Sequence, residues 1–130
     1  MAGSIDLRVV SREAGEDLSS HQYCFVYADT DGQLLHSVNA TGMILGVLQD
    51  DPDAAGEGAL LGISGISKLV VDGNAGAIAT GDKLTSDSEG KGIKTTTDKN
   101  VYGAIALEAS TAAGDIIQAL VTPGQMVSST

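Results

Sequence analysis

The chain has 130 residues, the size of one domain, and its 17 acidic residues outnumber its 7 basic residues, for a formal net charge of −10. Binding to nucleic acid is not expected, because phosphate contacts need clustered Lys and Arg, and none cluster here. Binding to an anionic membrane surface is not expected for the same reason.

The apolar residues of the chain are mostly small. Hydrophobic residues make up 42% of the sequence, but there is no Trp, one Phe and three Tyr, beside 17 Gly. Small side chains bury little area each, so a single core of this makeup would be thin. Disulfides, metals or oligomerisation are the usual remedies. The single cysteine, Cys24, excludes an internal disulfide, so the composition favours a homo-oligomer.

The N-terminal segment has the pattern of an arm. Ser4–Val10 alternates, with Ile5, Leu7 and Val9 on one side, as a half-buried strand does. The polar stretch that follows can act as a tether, and no secretory signal pattern precedes it. An exposed apolar strand is a hazard unless another strand pairs with it, so we expect Ile5, Leu7 and Val9 to bind a partner's free sheet edge. The alternative is that this strand completes the protein's own sheet.

Short strands recur roughly every 8–12 residues, separated by turn residues, which predicts a mostly β fold with little helix. The architecture is expected to be a small single-domain β-barrel or sandwich with an extended N-terminal arm. Residues 1–20 form the arm and tether, 21–124 the β-rich domain, and 125–130 a C-terminal tail. The predicted strands after the arm are Gln22–Ala28, Gln33–Val38, Met43–Gln49, Ala59–Ile63, Ser67–Val71, Ile93–Thr97, Val101–Leu107 and Ile116–Val121. A short helix also fits the region from Gly76 to Asp82.

A faint internal repeat runs through the chain. The segment from Gly46 to Glu57 parallels the segment from Ala104 to Asp115 at a constant offset, and each contains an Ala-Ala-Gly-acid motif. Two copies are too few for a solenoid. They are interpreted either as two related hairpins or as a coincidence in an Ala/Gly-rich chain.

No set of residues is equipped for catalysis or for binding a metal. Gly62-Ile63-Ser64-Gly65 is one residue short of a nucleophile elbow. The acidic run from Asp50 to Glu57 lacks the apolar pocket that separates the pKa values of catalytic carboxylates. His21, Cys24 and His36 form a loose trio without the spacing of a zinc site. We therefore predict no enzymatic activity, no metal and no cofactor.

The aromatic residues are concentrated in one predicted strand. Tyr23, Phe25 and Tyr27 are three of the four aromatic residues in the chain, and they share one face of that strand. Core packing is one interpretation. A subunit or partner interface, where Tyr is enriched, is the other.

One tract, Gly81–Ile93, is followed after seven residues by Val101–Ala109, and the pattern is typical of short apolar strands joined by a polar, glycine-marked turn. Together with other pieces in order between Asp17 and Gly124, this tract resembles the cement, or decoration, proteins of tailed-phage capsids. The other matching pieces are Asp17-Leu18-Ser19-Ser20, Gly46-Val47-Leu48-Gln49, Ala54-Ala55-Gly56-Glu57, Gly65-Ile66-Ser67-Lys68-Leu69 and Ala113-Gly114-Asp115-Ile116-Ile117.

The resemblance implies a structural virion protein that binds the outer surface of a phage capsid and stabilises the expanded head. Such a protein would contact the major capsid protein, form a homotrimer, and reach the virion after synthesis in the host cytoplasm. Two rival functions stay open. One is another phage structural subunit, such as a tail tube or head fibre. The other is a trimeric β-rich nucleotide-hydrolysing enzyme, although the tail 125–130 lacks the glycine and basic residues that such an enzyme uses to close over phosphate.

Overall fold

The structure is a computed structural model that describes residues 7–126. These residues form nine strands and no helix, so the prediction of a mostly β protein is confirmed. The strands are β1 (Arg8–Glu13), β2 (Phe25–Ala28), β3 (Leu34–His36), β4 (Gly46–Leu48), β5 (Gly58–Asp72), β6 (Lys83–Ser86), β7 (Gly92–Lys94), β8 (Val101–Ala106) and β9 (Ala113–Gln125). Within residues 7–126 there is no helix of the length and apolarity needed to cross a membrane.

The long strand β5 organises the fold. Its 15 residues were predicted as two strands broken by Gly62 and Gly65, but they form one continuous strand. Gly65 has a φ of 106°, a left-handed conformation that costs glycine little. The strand therefore continues through this position, and its first and second halves pair with different neighbours.

The first half of β5 belongs to a closed circuit of pairings that we call the first lobe. β5 pairs with β1 on one side and with β4 on the other, and the order continues through β2 to β3. A parallel bridge between Ala14 and Leu34 connects β3 back to the end of β1. The side chains inside this circuit form a small core of their own, made of Ala14, Leu18, Val26, Leu34, Leu48, Ala59 and Leu61.

The second half of β5 belongs to a second circuit, the second lobe. β5 pairs with β9, β9 with β8, β8 with β6 and β6 with β7, all antiparallel. A parallel contact between Val71 and Gly92 joins β7 back to β5. A larger core cluster fills this region, and it includes Phe25, Ile44, Leu69, Leu84 and Ile117. The one thin core expected from the composition is thus divided into two small ones.

The two lobes repeat the same arrangement 58 residues apart. β2 and β3 begin at positions 25 and 34, and β6 and β7 begin at positions 83 and 92. The pairing of Val26 with His36 corresponds to that of Leu84 with Lys94. The β2–β4, β4–β5 and β2–β3 registers recur without a shift in β6–β8, β8–β9 and β6–β7. The two segments of the internal repeat therefore belong to related hairpins. The repeat also covers strand pairings well outside the Ala-Ala-Gly-acid motif.

The hairpin turns of the two lobes match in detail. In the first lobe, Asp29 Oδ1 accepts hydrogen bonds from the N–H groups of Asp31 (2.9 Å) and Gln33 (3.0 Å). In the second, Asp87 Oδ1 accepts them from the N–H groups two and four positions later, at 2.8 and 2.9 Å. Each turn then places a glycine in the left-handed region, Gly32 with φ 79° and Gly90 with φ 82°. Aspartate and glycine are favoured here because the carboxylate caps the turn and glycine tolerates positive φ.

The predicted arm requires a correction. Residues 8–13 form β1, which pairs with β5 over its whole length, so this strand completes the protein's own sheet as the alternative interpretation held. The stretch expected to be a tether is anchored as well, because Ala14 and Leu18 are fully buried in the first core. The physical reason is that the first lobe needs β1 to close its circuit, which the local pattern does not reveal. Ile5 lies outside the described residues.

The region from Gly76 to Asp82 is not helical. Ile78 is buried in the second core and forms an isolated bridge with Ser110. The Asp82 carboxylate accepts a hydrogen bond from the Ala79 N–H at 2.8 Å. The segment is thus a tight turn that leads into β6.

Candidate interaction surfaces

The three clustered aromatic residues do not form one surface. Phe25 is fully buried in the second core, so core packing is the correct interpretation for this residue. Tyr23 is half-buried, packs against the same core, and has the Lys68 ammonium 5.6 Å from its ring centroid. Tyr27 is half-buried and lies beside an open pocket. Of the three predicted interface residues, Tyr27 is the one that lines this pocket.

This pocket was missed by sequence reasoning. It has a volume of about 250 Å³ and lies between the end of β2 and the loop that leads from β3 to β4. Its lining residues are Tyr27, Ser37, Val38, Asn39, Gly42 and Met43. Val38 and Met43 are large apolar residues that are 46% and 53% exposed. Ser37 is 2% exposed, and its hydroxyl has no hydrogen-bond partner among the described residues. Apolar side chains open to solvent beside an unsatisfied buried hydroxyl are typical of a contact site.

The residues of the predicted arm separate in the structure. Leu7 is half-buried and packs against the second core. Val9, in β1, is 43% exposed, and Val10 is 37% exposed. Ser11 pairs with Leu60 of β5, which is 44% exposed, so Val9 and Leu60 are diagonal neighbours on one face of the sheet. The face made by Val9 and Leu60 is a second apolar surface open to a partner.

The histidines of the loose trio meet, as the hairpin allows. The rings of His21 and His36 stack with centroids 4.2 Å apart and planes within 3°. His36 Nδ1 lies 2.7 Å from a Glu16 carboxylate oxygen, and His21 Nδ1 lies 3.1 Å from the Glu89 carbonyl oxygen. Within residues 7–126 no group of three or more His, Cys, Asp or Glu side chains is placed to hold a metal ion. The pair instead joins the segment before β2 to β3 and to the turn before Gly90.

Cys24 is a buried free cysteine. Burial disfavours the thiolate and raises the pKa of the Cys24 thiol to about 11, with a smaller contribution from the nearby Asp87 carboxylate. At neutral pH the thiol is therefore protonated, whereas metal ligation and nucleophilic attack both need the thiolate.

The motif that begins at Asp17 serves the fold. Asp17 Oδ1 accepts hydrogen bonds from the Ser19 hydroxyl (2.6 Å) and the Ser19 N–H (2.9 Å). The hydroxyl hydrogen bond is the main cause that lowers the pKa of the Asp17 carboxyl, and the backbone hydrogen bond adds to it. This exposed turn orients Leu18 into the first core. The motif is thus explained by folding, without a ligand.

The matched turn glycines allow a direct test of packing at Gly90. A Cβ on Gly90 would lie 2.9 Å from the Phe25 carbonyl oxygen and 3.1 Å from Cys24 Cβ, whereas a Cβ on Gly32 would meet only the movable end of Arg12. Both positions have positive φ, so alanine costs about 1 kcal/mol at either. We expect Gly90→Ala to lower the free energy of unfolding by about 1–3 kcal/mol more than Gly32→Ala. Urea denaturation of the two variants measures the difference, and equal losses would contradict it.

The comparisons with known proteins agree with this architecture. The solved structure described as the head fiber gp8.5 N base in bacteriophage phi29 superposes with a TM-score of 0.62, at 15% identity, over 90% of this chain and 95% of that chain. At this identity the likeness shows a shared fold. No curated protein sequence matches the chain. The family model described as phage cement protein matches residues 9–123, which include both lobes. This chain therefore belongs to the phage cement protein family.

Proposed function

We propose that this chain binds the outer surface of an expanded phage head, contacts the major capsid protein there and stabilises the shell as a non-enzymatic homotrimer. The observation that carries the proposal is the cement-family match across residues 9–123. The acidic surface supports an external position, because a net charge of −10 would be repelled by packaged DNA. The two small cores support association, since small cores supply limited stability on their own.

We propose that the face made by Val9 and Leu60 contacts the capsid. These side chains are each more than 40% exposed, Val9 on β1 and Leu60 on the neighbouring strand β5. Among the strands of residues 7–126, β1 pairs with β5 alone, and the Ala14–Leu34 bridge lies just after its end, so the other side of β1 can form main-chain hydrogen bonds with an extended capsid segment. The apolar face and the free edge would then act together in one contact.

The proposed function is tested on heads made without this protein. Purified protein mixed with DNA-filled heads should sediment with them at a fixed ratio to the major capsid protein. It should also raise the temperature at which the heads release their DNA. Cryo-electron microscopy should show it as discrete density on the outer surface. Tubes formed by the protein alone, a projecting fibre, or hydrolysis of nucleoside triphosphates would favour the rival functions.

Paired variants test the contact face. We expect Val9→Glu with Leu60→Glu to weaken head binding by about tenfold or more, because a charge would be desolvated in an apolar contact. Leu107→Glu is the matched control, since Leu107 is also a large exposed apolar residue, 37% exposed, but lies after β8. All three positions are exposed, so melting temperatures should change little. Equal loss in the control, or full binding by the double variant, would exclude this face.

A further inference from the structure

The loop of the first lobe lies on the second lobe within one chain. The backbone oxygen of Ala40, in the loop between β3 and β4, accepts a hydrogen bond from the Val101 N–H at 2.7 Å. The Thr85 hydroxyl lies 3.5 Å from the same oxygen. Thr85 is 1% exposed, so this face of the second lobe is covered.

The repeat assigns an equivalent face to the first lobe, and no described residue covers that face. The residues 58 positions before Thr85 and Val101 are Tyr27 and Met43, and both line the open pocket. Within the described residues the Met43 N–H makes no hydrogen bond, whereas the Val101 N–H is satisfied by Ala40. The Ser37 hydroxyl in the same pocket is buried and has no hydrogen-bond partner among residues 7–126. Because buried polar groups normally have partners, this hydroxyl favours a face that a partner covers.

We propose that the pocket of Tyr27, Ser37 and Met43 receives the second lobe of another copy of this chain. The part that would dock is the loop from Thr95 to Asn100, which is equivalent to the loop that carries Ala40. It connects β7 to β8 as the first-lobe loop connects β3 to β4, and its residues from position 96 to position 99 are exposed. The model for this docking is the contact within the chain, in which the loop between β3 and β4 lies on the second lobe.

The position of the contact follows from the same offset. The residue equivalent to Ala40 is Asp98, so the Asp98 backbone oxygen would accept a hydrogen bond from the Met43 N–H of the next copy. The docked loop would also cover Val38, which is 46% exposed. The donor, the Met43 N–H, would then correspond to the Val101 N–H that donates to the Ala40 oxygen on the second lobe.

This contact is heterologous, because the first lobe of one copy would meet the second lobe of the next. Heterologous contacts close into rings or extend into filaments. In a ring of three copies, six lobes would follow one another, with contacts inside a chain alternating with contacts between chains. The proposal rests on the proposed homotrimer and concerns only how its copies meet, so it can fail while capsid binding stands.

Disulfide trapping tests the geometry directly. Met43→Cys and Asp98→Cys are made as separate variants, and Ala40→Cys with Val101→Cys, a pair already in contact within the chain, is the positive control. Cys24 is buried, so it is shielded from the introduced cysteines and from the oxidant. Mixing the two single variants under mild oxidation should form a disulfide-linked dimer. Either variant alone should form several-fold less, because the contact is not between like residues.

The oligomeric state gives an independent test. We expect the protein to form a small oligomer by size exclusion with light scattering, and Met43→Glu to raise its dissociation constant by about tenfold or more. The control is Ile116→Glu, because Ile116 is 55% exposed, close to the 53% of Met43, but lies on β9 outside the pocket. The control should assemble as the unmodified chain does, and both variants should melt at nearly the same temperature in dilute solution.

Three results would overturn the proposal. One is a chain that stays monomeric at high concentration, with no mixed disulfide. Another is a strong disulfide in Met43→Cys alone, which would show an isologous contact. The third is a Met43→Glu variant that keeps its oligomeric state but loses head binding, which would assign the pocket to the capsid. Loss of head binding by Val9→Glu with Leu60→Glu, with assembly intact, would leave the proposal unaffected.

Discussion

Gly46→Ala is expected to lower the free energy of unfolding by more than about 3 kcal/mol. A Cβ at this position would collide with the Gly62 carbonyl oxygen and lie 2.9 Å from Leu61 Cδ1. Gly46 lies in β4, which pairs with β2 on one side and β5 on the other, so the strand cannot move away. The collision is with backbone, which cannot change rotamer. Equilibrium unfolding in urea, followed by far-ultraviolet circular dichroism, measures the loss.

The matched control is Gly58→Ala. Gly58 begins β5 and has no positive φ, and apart from its chain neighbours no atom of residues 7–126 lies within 4 Å of the position its Cβ would take. Alanine there should change stability by no more than about 0.5 kcal/mol, or stabilise slightly by restricting the unfolded chain. A small loss at Gly46, comparable to that at Gly58, would mean that β4 and β5 are not held as the structure has them.

Phe25→Ala is expected to lower the free energy of unfolding by about 3–5 kcal/mol. Phe25 is the only phenylalanine of the chain, is fully buried, and packs with Ile44 and Leu69 in the second core. Its ring also lies against Gly103, because a Cβ there would be only 2.5 Å from Phe25 Cε1. Among the described residues of this core, the side chains around Phe25 are aliphatic apart from the half-buried Tyr23, so no other aromatic ring in it can fill the cavity.

Phe25→Leu separates the role of packing from that of an interface. It retains most of the apolar volume and should lose about 1–2 kcal/mol, measured in the same urea series. If Phe25 instead served a subunit contact, Phe25→Ala would retain its stability in dilute solution and lose assembly. That outcome would show that Phe25 serves a subunit interface and not the core.

The turns were the most predictable part of the molecule from sequence. Asp29-Thr30-Asp31-Gly32 was expected to form a turn, and the structure places one there, closed by the aspartate side chain. Turn geometry depends on residues within a few positions, so local sequence carries the information. Strand positions were also predicted well where apolar residues alternate. The ends of most short strands lie a few residues inside the predicted ones, whereas β9 is longer at both ends than predicted, because a strand ends where its hydrogen-bonding neighbour ends.

Whether the N-terminal strand is a free arm or pairs within the protein's own sheet could not be predicted from local sequence. An alternating strand followed by a polar stretch describes a free arm and an edge strand equally well. What decides between them is whether β5 has a vacant edge at residues 58–64, some fifty positions later in the chain. The pairing is non-local, and no property of residues 8–13 reports it.

By itself, the sequence determined that the chain is rich in β-strands, and its ordered motifs indicated the cement family. Only the tertiary structure decided that the chain is two lobes joined by β5, because the repeat lies in backbone registers and turn geometry more than in shared side chains. It also decided that Phe25 is core and that Tyr27 borders a pocket, although both share one face of the predicted strand. The physical reason is that burial depends on which strands surround a side chain, and here those strands come from distant parts of the chain.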